Sequence, residues 1–564
     1  MISQTVFDTS RILSLKGVTH VVLSPGSRNA PLTISFSRNP DIKIYNIVDE
    51  RSAGFIALGM AQKLQQPVVL CCTSGTSLLN YAPAIAEAWY QQIPLIVISA
   101  DRPPEWQGQR DGQTIHQVGA LANFVKETFE LPAQTEHEDL VWEYSRKLNE
   151  AVNLSTQLPQ GPVHINIPFR EPFYPQPNDQ LTFSDHPRVI SPHYSELSPD
   201  FAPLAEAWQH FDKRLIVPGQ QPLTPQLNEA LGRLTGEAVV VGDVISNISG
   251  QAAIRHHDLF LASVEGKLAE SLQPDLLVTF GRSVISKNLK IFLRKNPPKE
   301  HWHIDEAMVS ADPFQSMSKL IQAKPERFLV AMAESKGDLS DFSFQIRKNF
   351  AQNWAVEDSK GERRLTESFE NMKFSEFLVF AKVIKLLPDS TDLHVANSMP
   401  VRYVNFIQGL PKGTEVFANR GTSGIDGTNG TAVGGSLVSD RLTVLLTGDL
   451  SFFYDRNAFF HHYDLSQLVI IVFNNGGGGI FRLIPGPSAL PELQQHFETR
   501  HTHSARFTAM EYGFDYYQAK DAAGVEKAMK SIVKKGKTPR LLEIFTDPET
   551  NNEVFAQVKK AFIS

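Results

Sequence analysis

Cysteine is nearly missing from this chain: Cys71 and Cys72 are the two in 564 residues. Neighbours on one β-strand send their side chains to opposite faces, so a disulfide between them is disfavoured by geometry. With no other soft ligand accompanying them, both read as buried apolar residues rather than a metal pair or a catalytic thiol. Long apolar runs are missing too. The longest, such as Leu95 to Ala100 and Leu468 to Phe473, fall far short of the roughly 20 residues a bilayer span needs, so no membrane span is expected. Neither charge sign dominates: a net charge of −7 with 20% charged and 42% hydrophobic residues excludes a disordered chain and gives no footprint for nucleic acid. Met1 to Gly17 lacks a basic segment leading into an apolar core and a small-residue cleavage site, so a secretory leader is not expected and a cytoplasmic location is.

What is present is the grammar of parallel α/β folding. A chain this long exceeds one core and predicts about three domains at roughly 100–200 residues each. In the first third, Val18–Leu23, Ile42–Val48, Val68–Cys72 and Leu95–Ser99 are short β-branched runs, each followed by a turn and then a helical stretch. A proline-rich polar passage from Pro168 to Pro199 reads as a linker. Leu215–Pro218, Ala238–Val241 and Leu276–Phe280 predict a middle α/β domain, and the charged, helix-rich span Asp338–Phe374 a second connection. Leu393–Ala396, Glu415–Ala418, Leu442–Leu446, Leu468–Phe473 and Leu541–Phe545 then repeat the layout of the first third. The expected fold is α/β, three doubly wound parallel-sheet domains spanning about residues 1–180, 190–345 and 365–564.

In such sheets ligands bind outside the carboxyl ends of the strands, and the distinctive turns fall there. Gly448-Asp449-Leu450-Ser451 ends one strand and Asn474-Asn475-Gly476-Gly477 ends the next, with Asn475 lying 26 residues beyond Asp449 and a helix expected between. A carboxylate, an amide oxygen and a free carbonyl are hard oxygen donors suited to Mg²⁺. Gly448 and the N–H groups after it leave room for phosphate oxygens. Taken alone, the same residues also describe a turn followed by an Asn-Gly loop. His461-His462, placed on the intervening helix, diverge too far around its axis to share a metal. Lys534-Lys535-Gly536-Lys537 reads as a solvated helix end, and the six tryptophans are too scattered to form a stacking surface.

This spacing resembles the metal and diphosphate signature of thiamine-diphosphate enzymes. Matching stretches along the whole chain narrow the resemblance to the menaquinone-pathway 2-succinyl-5-enolpyruvyl-6-hydroxy-3-cyclohexene-1-carboxylate synthase family. They are Ser24-Pro-Gly-Ser-Arg28, Asp49-Glu-Arg51, Thr73-Ser-Gly-Thr76, Ala100-Asp-Arg-Pro-Pro-Glu105, Asn397-Ser398 with Arg402, Asn419-Arg-Gly-Thr-Ser-Gly-Ile-Asp-Gly427 and Gly448-Asp-Leu-Ser-Phe452. The Ser-Pro-Gly-Ser-Arg and Asn-Arg-Gly-x-Ser-Gly-Ile-Asp-Gly runs are highly specific as a pair.

The resemblance implies thiamine diphosphate with Mg²⁺ or Mn²⁺ as cofactors, and 2-oxoglutarate and isochorismate as substrates. Asp449, Asn475 and the Gly477 carbonyl match the metal ligands. Glu50 matches the glutamate that hydrogen-bonds the aminopyrimidine and promotes loss of the thiazolium C2 proton. Pro25, Ser74, Ile425, Gly448, Leu450, Ser451, Ile480 and Phe481 match cofactor contacts, Ile425 as the apolar wedge behind the bent cofactor. Ser398, Arg402 and Arg420 match residues holding 2-oxoglutarate, and Ser27, Arg28, Arg102, Gln113 and Lys287 those facing isochorismate. Two dicarboxylic substrates need several cationic hosts, and arginine binds carboxylates bidentately while staying charged.

Each residue also has a plainer reading: a helix cap for Glu50, core packing for Ile425, a surface ion pair for each arginine. Two departures from the family stand out. Asn288 replaces the second member of a basic pair after Lys287, and the metal loop runs to four glycines, as a mobile loop would. Because Glu50 and the metal motif lie on different domains, the resemblance further implies a homodimer or a homotetramer with Glu50 of one chain serving the other's metal. Open alternatives are an acetohydroxyacid synthase-like enzyme, a 2-oxo acid decarboxylase, or a non-catalytic nucleotide-binding regulatory assembly.

Overall fold

The computed structural model describes residues 2–132, 134–175, 181–193, 199–248, 253–335, 340–483 and 486–563. Three six-stranded sheets, every described pairing parallel, form three layered α/β units. The first contains β1 (His20–Leu23), β2 (Lys43–Asn46), β3 (Val68–Cys72), β4 (Leu95–Asp101), β5 (Thr128–Glu130) and β6 (Val163–Pro168), in the order β2-β1-β3-β4-β6-β5. The second contains β7 (Arg214–Pro218), β8 (Val239–Val241), β9 (Ala253–Ile254), β10 (Leu276–Phe280), β11 (Glu300–Ile304) and β12 (Lys319–Ile321), in the order β12-β11-β10-β7-β8-β9. The third contains β13 (Asp392–Val395), β14 (Glu415–Phe417), β15 (Thr443–Gly448), β16 (Leu468–Asn474), β17 (Asp515–Ala519) and β18 (Arg540–Phe545), in the order β14-β13-β15-β16-β18-β17. The first and third sheets therefore share one permuted order, with a switch point between their first and third strands, whereas the middle sheet switches between β7 and β10.

The strands read from β-branched runs are there because both faces of a parallel sheet are covered, which favours unbroken apolar sequence. β3 and β16 are buried along their whole length. Cys71 and Cys72 sit in β3 as free, buried thiols, and burial pushes Cys71 up to about 12, so neither is an available thiolate. The expected linker is a strap where it is described. Phe183 stacks on Phe7 with centroids 4.5 Å apart, and Ser184 N–H donates to Asp8 at 2.9 Å. Residues 176–180 and 194–198 of that passage lie outside the described residues, as do 336–339 at the start of the second connection. The rest of that connection is dominated by one helix, Asp341–Phe369, which buries Phe350 and Trp354 in the middle unit and Leu365 in the third.

The first and third units share a hydrophobic core. Its seam is the helix Glu50–Leu64 laid on Thr428–Leu437. No helix among the described residues is long and apolar enough to cross a membrane. One local expectation fails. The helix that begins at Asp449 stops at Tyr454, a short 3₁₀ turn follows over Arg456–Phe459, and His461-His462 lie in a bend beyond it. Asp455 is buried and accepts the Gly430 N–H at 2.8 Å. That contact pins the chain to the Thr428–Leu437 helix where the Asp449 helix would otherwise have continued.

Candidate active site

The third sheet positions the metal motif. Asp449 follows β15 and is 2% exposed, while Asn475 follows the neighbouring β16. Asp449 Oδ2 accepts the N–H groups of Gly476 at 2.8 Å and Gly477 at 3.0 Å, and Asp449 Oδ1 accepts Leu450 N–H at 2.7 Å. The Gly477 N–H also reaches Asn475 Oδ1 at 3.1 Å. The four-glycine loop is thus built rather than slack. Gly478 N–H donates to Glu498 O at 2.7 Å and His501 N–H to Gly476 O at 3.0 Å. Glycine is required at 477, whose added Cβ would stand 2.7 Å from Glu498 O. At Gly448 an added Cβ would meet nothing within 4 Å, so the approach to the loop is open to a bulky anion.

Asp449 Oδ2 and Asn475 Oδ1 meet at the Gly477 N–H beside that opening, and with the Gly477 carbonyl, which also accepts Gly479 N–H at 3.1 Å, they supply hard oxygen donors of the kind that fits a divalent cation carrying a diphosphate. Among the described residues no cluster of three or more His, Cys, Asp or Glu offers a softer alternative.

Two residues not singled out in the sequence complete this cradle. Glu376, at the start of the helix Glu376–Leu386, is buried and accepts Asn475 Nδ2 at 2.7 Å, so the amide oxygen of Asn475 is turned toward the loop. Burial pushes Glu376 up to about 8, opposed by the hydrogen bond from Asn475. His501 brings Nε2 to 3.3 Å from Asp449 Oδ2. Ser451 Oγ donates to Ile425 O at 2.5 Å and ties the Ile425 loop to the turn after β15. The Ile425 side chain is 41% exposed. Ile480 and Phe481 form a 3₁₀ turn just beyond the glycines, both half-buried.

The adjacent strand end, after β13, gathers the arginines. Ser398 has φ +71°, an unusual conformation for a residue other than glycine, and its carbonyl accepts the Arg402 guanidinium. Arg420 donates to Asn397 Oδ1 at 2.8 Å. Burial lowers the pKa of Arg402 and Arg420, and for Arg420 the neighbouring Arg402 lowers it further. The two cations therefore share one desolvated region, and neither makes a close ion pair with a carboxylate among the described residues. A dicarboxylate would relieve both costs. The Arg420 loop is clamped from the first unit by Glu87, buried and unforeseen in the sequence, which accepts Gly421 N–H at 2.7 Å and Thr422 N–H at 2.6 Å.

In the first sheet, Pro25, Ser27 and Arg28 follow β1 and Ser74 follows β3, the two strands flanking its switch point. The loops touch: a Cβ on Gly26 would lie 2.3 Å from Thr73 Cβ. Ser74 Oγ is buried without a hydrogen-bond partner among the described residues, which fits a donor for a ligand. Gln113 lies against Gly75 with φ +55°. Arg28 and Arg102 line a cavity of about 340 Å³ together with Trp106, Asp111 and Arg170. Arg28 donates to Phe169 O at 2.5 Å and stacks over Phe173, and Arg102 is paired with Asp111 at 2.6 Å. Lys287 is exposed at the first turn of the helix Lys287–Lys295. Asn288, the departure from a basic pair, is committed to structure, its Nδ2 donating to Asp258 O at 2.7 Å.

Glu50 opens the helix Glu50–Leu64, but the cap is its neighbour Asp49, which accepts Ser52 N–H at 3.1 Å. Glu50 is left with a hydrogen bond from Asn80 at 3.2 Å. Its neighbours reach the far end of the helix that starts at Asp449: Arg51 donates to Tyr454 O at 2.8 Å, and Asn457 to Asp49 at 2.8 Å. Among the described residues, no hydrogen bond or ion pair joins Glu50 to Asp449, Asn475 or Gly477 within the chain.

Residues 7–120 match the family described as thiamine pyrophosphate enzyme, N-terminal TPP binding domain, and residues 194–395 match the middle domain of thiamine pyrophosphate enzymes. A protein of Cytophaga hutchinsonii is 44% identical over 99% of this chain and 98% of its own length. One of Porphyromonas gingivalis is 39% identical over 95% and 93%, and one of Flavobacterium johnsoniae 37% identical over 97% of each. All three are named 2-succinyl-5-enolpyruvyl-6-hydroxy-3-cyclohexene-1-carboxylate synthase.

Proposed function

The chain belongs to the 2-succinyl-5-enolpyruvyl-6-hydroxy-3-cyclohexene-1-carboxylate synthase family, and on that premise we propose how its residues divide the reaction. The enzyme decarboxylates 2-oxoglutarate and transfers the remaining four-carbon succinyl unit to isochorismate in menaquinone biosynthesis, with thiamine diphosphate and a divalent metal, Mg²⁺ or Mn²⁺. When bound, thiamine diphosphate supplies the electron sink that lets CO₂ leave a 2-oxo acid.

Asp449, Asn475 and the Gly477 carbonyl hold the metal, and the turn Gly448–Ser451 receives the diphosphate. Ser74 donates its free hydroxyl to the cofactor, with Pro25 beside it. Ile425 supports the cofactor's bend, while Ile480 and Phe481 exclude water from its reactive face. Glu50 holds a proton against the aminopyrimidine nitrogen. Arg402, Arg420 and Ser398 bind the carboxylates of 2-oxoglutarate, and Ser27, Arg28, Arg102, Gln113 and Lys287 orient isochorismate. The observation that carries this reading is the convergence, at neighbouring strand ends of one sheet, of the oxygen-donor cradle with two arginines that make no close ion pair with a carboxylate among the described residues.

The units divide near 1–180, 190–345 and 365–564, and the protein works in the cytoplasm. The assembly is a homodimer or a dimer of dimers in which Glu50 of one chain serves the cradle of the other. Support comes from the absence, among the described residues, of any hydrogen bond or ion pair between Glu50 and its own cradle, and from exposed apolar side chains around it, Val48 at 56%, Leu79 at 43% and Tyr454 at 51%. Co-refolding Glu50→Gln chains with Asp449→Asn chains tests this. Each is inactive alone, and mixed dimers rebuild one intact site in two, restoring about a quarter of wild-type activity; no restoration rejects the shared site.

The substrate assignment is tested by mass detection of product from purified protein given thiamine diphosphate, Mg²⁺, 2-oxoglutarate and isochorismate, with pyruvate as control. Product from pyruvate alone would instead favour an acetohydroxyacid synthase-like enzyme or a simple decarboxylase.

A further inference from the structure

The middle unit has no part in the cradle, yet its most deeply buried carboxylate lies on the boundary with the third unit. Asp243, just after β8, is 4% exposed. Its Oδ2 accepts the backbone N–H groups of Ile285 and of Ser286, the latter at 3.1 Å. Its Oδ1 accepts Asn405 Nδ2 at 3.0 Å and lies 3.2 Å from His257 Nε2. Burial opposes ionisation of Asp243, but the hydrogen bond and charge of His257 and the two backbone donors hold its pKa below the usual carboxylate range.

Two of the four partners of Asp243, Ser286 and Asn405, stand near cations of the site. Ser286 is the N-cap of the helix that begins at Lys287: its Oγ accepts Leu289 N–H at 3.0 Å and donates to Asp258 Oδ1 at 2.5 Å. Asn405 belongs to the helix Met399–Ile407, three residues beyond Arg402 and so on the same side of that helix. Asn405 closes the bridge by accepting Val244 N–H at 3.0 Å. A buried carboxylate with every donor in place is rigid, because removing any one leaves charge unsatisfied in a low dielectric.

We propose that Asp243, acting through Ser286 and Asn405, is a positioning residue that fixes Lys287 of the middle unit against Arg402 of the third. The spacing between the two carboxylate-binding cations is thereby set across a domain boundary. This extends the middle unit's part in substrate placement from Lys287 to Arg402 of the third unit, and it rests on the assignment of Arg402 and Lys287 to substrate binding.

The test uses the holoenzyme with thiamine diphosphate and Mg²⁺. Asn405→Ala, which leaves Asp243 its other donors, and Asp243→Asn should each raise KM for 2-oxoglutarate and isochorismate about tenfold or more, with cofactor affinity unchanged. In the Arg402→Ala background, Asn405→Ala should add little to the 2-oxoglutarate KM, since a residue acting through Arg402 has nothing left to position. Unchanged KM in folded Asn405→Ala, or KM and cofactor affinity worsening together, overturns the proposal. If Arg402→Ala itself leaves the 2-oxoglutarate KM untouched, the substrate assignment fails instead; if Arg402→Ala raises it and Asn405→Ala does not, the positioning role alone fails.

Discussion

Replacing Gly59 by alanine should force apart the two helices that join the first and third units, and the structure sizes the effect. A Cβ at Gly59 would stand 2.0 Å from Thr431 O, and a Cβ at Gly434 would stand 1.9 Å from Ile56 O. Ordinary contact begins at 3.4 Å, so each substitution demands a separation of more than 1 Å between backbones that hydrogen bonding keeps from rotating. Two terms compete. Alanine is the better helix former by about 1 kcal/mol, whereas overpacking a filled interface costs about 1–3 kcal/mol. Collision with a backbone carbonyl belongs at the upper end, so the net is a loss of ~1–2 kcal/mol.

The helix carries Glu50 at its start, and a displacement near 1 Å in a catalytic group lowers rates on the order of 10²-fold. Gly59→Ala should therefore lower the thermal midpoint and slow exchange of the C2 proton of bound thiamine diphosphate, read by proton–deuterium exchange after acid quench. The midpoint is read for direction, because a three-unit chain does not unfold in one two-state step. Gly232→Ala is the control: it lies in the helix Pro225–Arg233 with open space around an added Cβ, and should stabilise by up to ~1 kcal/mol. Wild-type stability and exchange in Gly59→Ala would refute the claim that close helix approach places Glu50.

Glu50→Gln should keep metal and cofactor affinity while suppressing C2 proton exchange; undiminished exchange defeats the role given to Glu50. Glu376→Ala removes the acceptor that orients the Asn475 amide and should weaken Mg²⁺ binding about tenfold, followed by titration of Mg²⁺ against cofactor-dependent fluorescence quenching; unaltered affinity would show that the amide orients itself. Burial pushes Asp455 from the ordinary 3.8 up to about 7, so the native state holds a proton that the unfolded chain has released. Its contribution to stability is complete below about pH 4 and is lost as pH rises through about 7, worth up to ~4 kcal/mol at 1.36 kcal/mol per pH unit. Asp455→Asn should flatten that decline in unfolding midpoints between pH 5 and 8, and parallel profiles for the two proteins would contradict it.

The legible part of this molecule is the part governed by local chemistry. Apolar runs such as Val68–Cys72 and Leu468–Phe473 announce strands buried on both faces, and the turn residues that end them mark the strand ends where ligands gather. Strands whose polar residues are satisfied only in three dimensions are not announced. In β6, His164 and Asn166 alternate with apolar residues because both meet Ser99 Oγ, at 2.7 and 2.8 Å. In β11, His301 and His303 share Thr279 Oγ1 across the sheet. The same division holds within the site. Asp449 and Asn475 stand in a recognisable spacing, but Glu376, Glu87 and Asp243 act through partners far away in sequence, and no local pattern distinguishes them from ordinary surface carboxylates.

The repeated strand order fits the proposed division of the chemistry between two units. The switch point of a doubly wound sheet opens one crevice, and the first and third sheets open theirs between equivalent strands. One crevice carries Ser24–Arg28 and Thr73–Thr76; the other carries Asn397–Arg402 and Gly448–Ser451. In the proposed division neither holds both the cation cradle and the proton-holding carboxylate, and the shared core along Glu50–Leu64 and Thr428–Leu437 joins the two units by their helices, with Arg51 and Asp49 on either side of Glu50 bonded to Tyr454 and Asn457. Among the described residues of one chain, no hydrogen bond or ion pair links Glu50 to the Asp449–Gly477 cradle. In the proposed dimer a twofold axis would offer each first-unit crevice to the partner's third-unit crevice in two copies at once, so the duplication of the sheet and the proposed pairing of chains would answer the same geometric requirement.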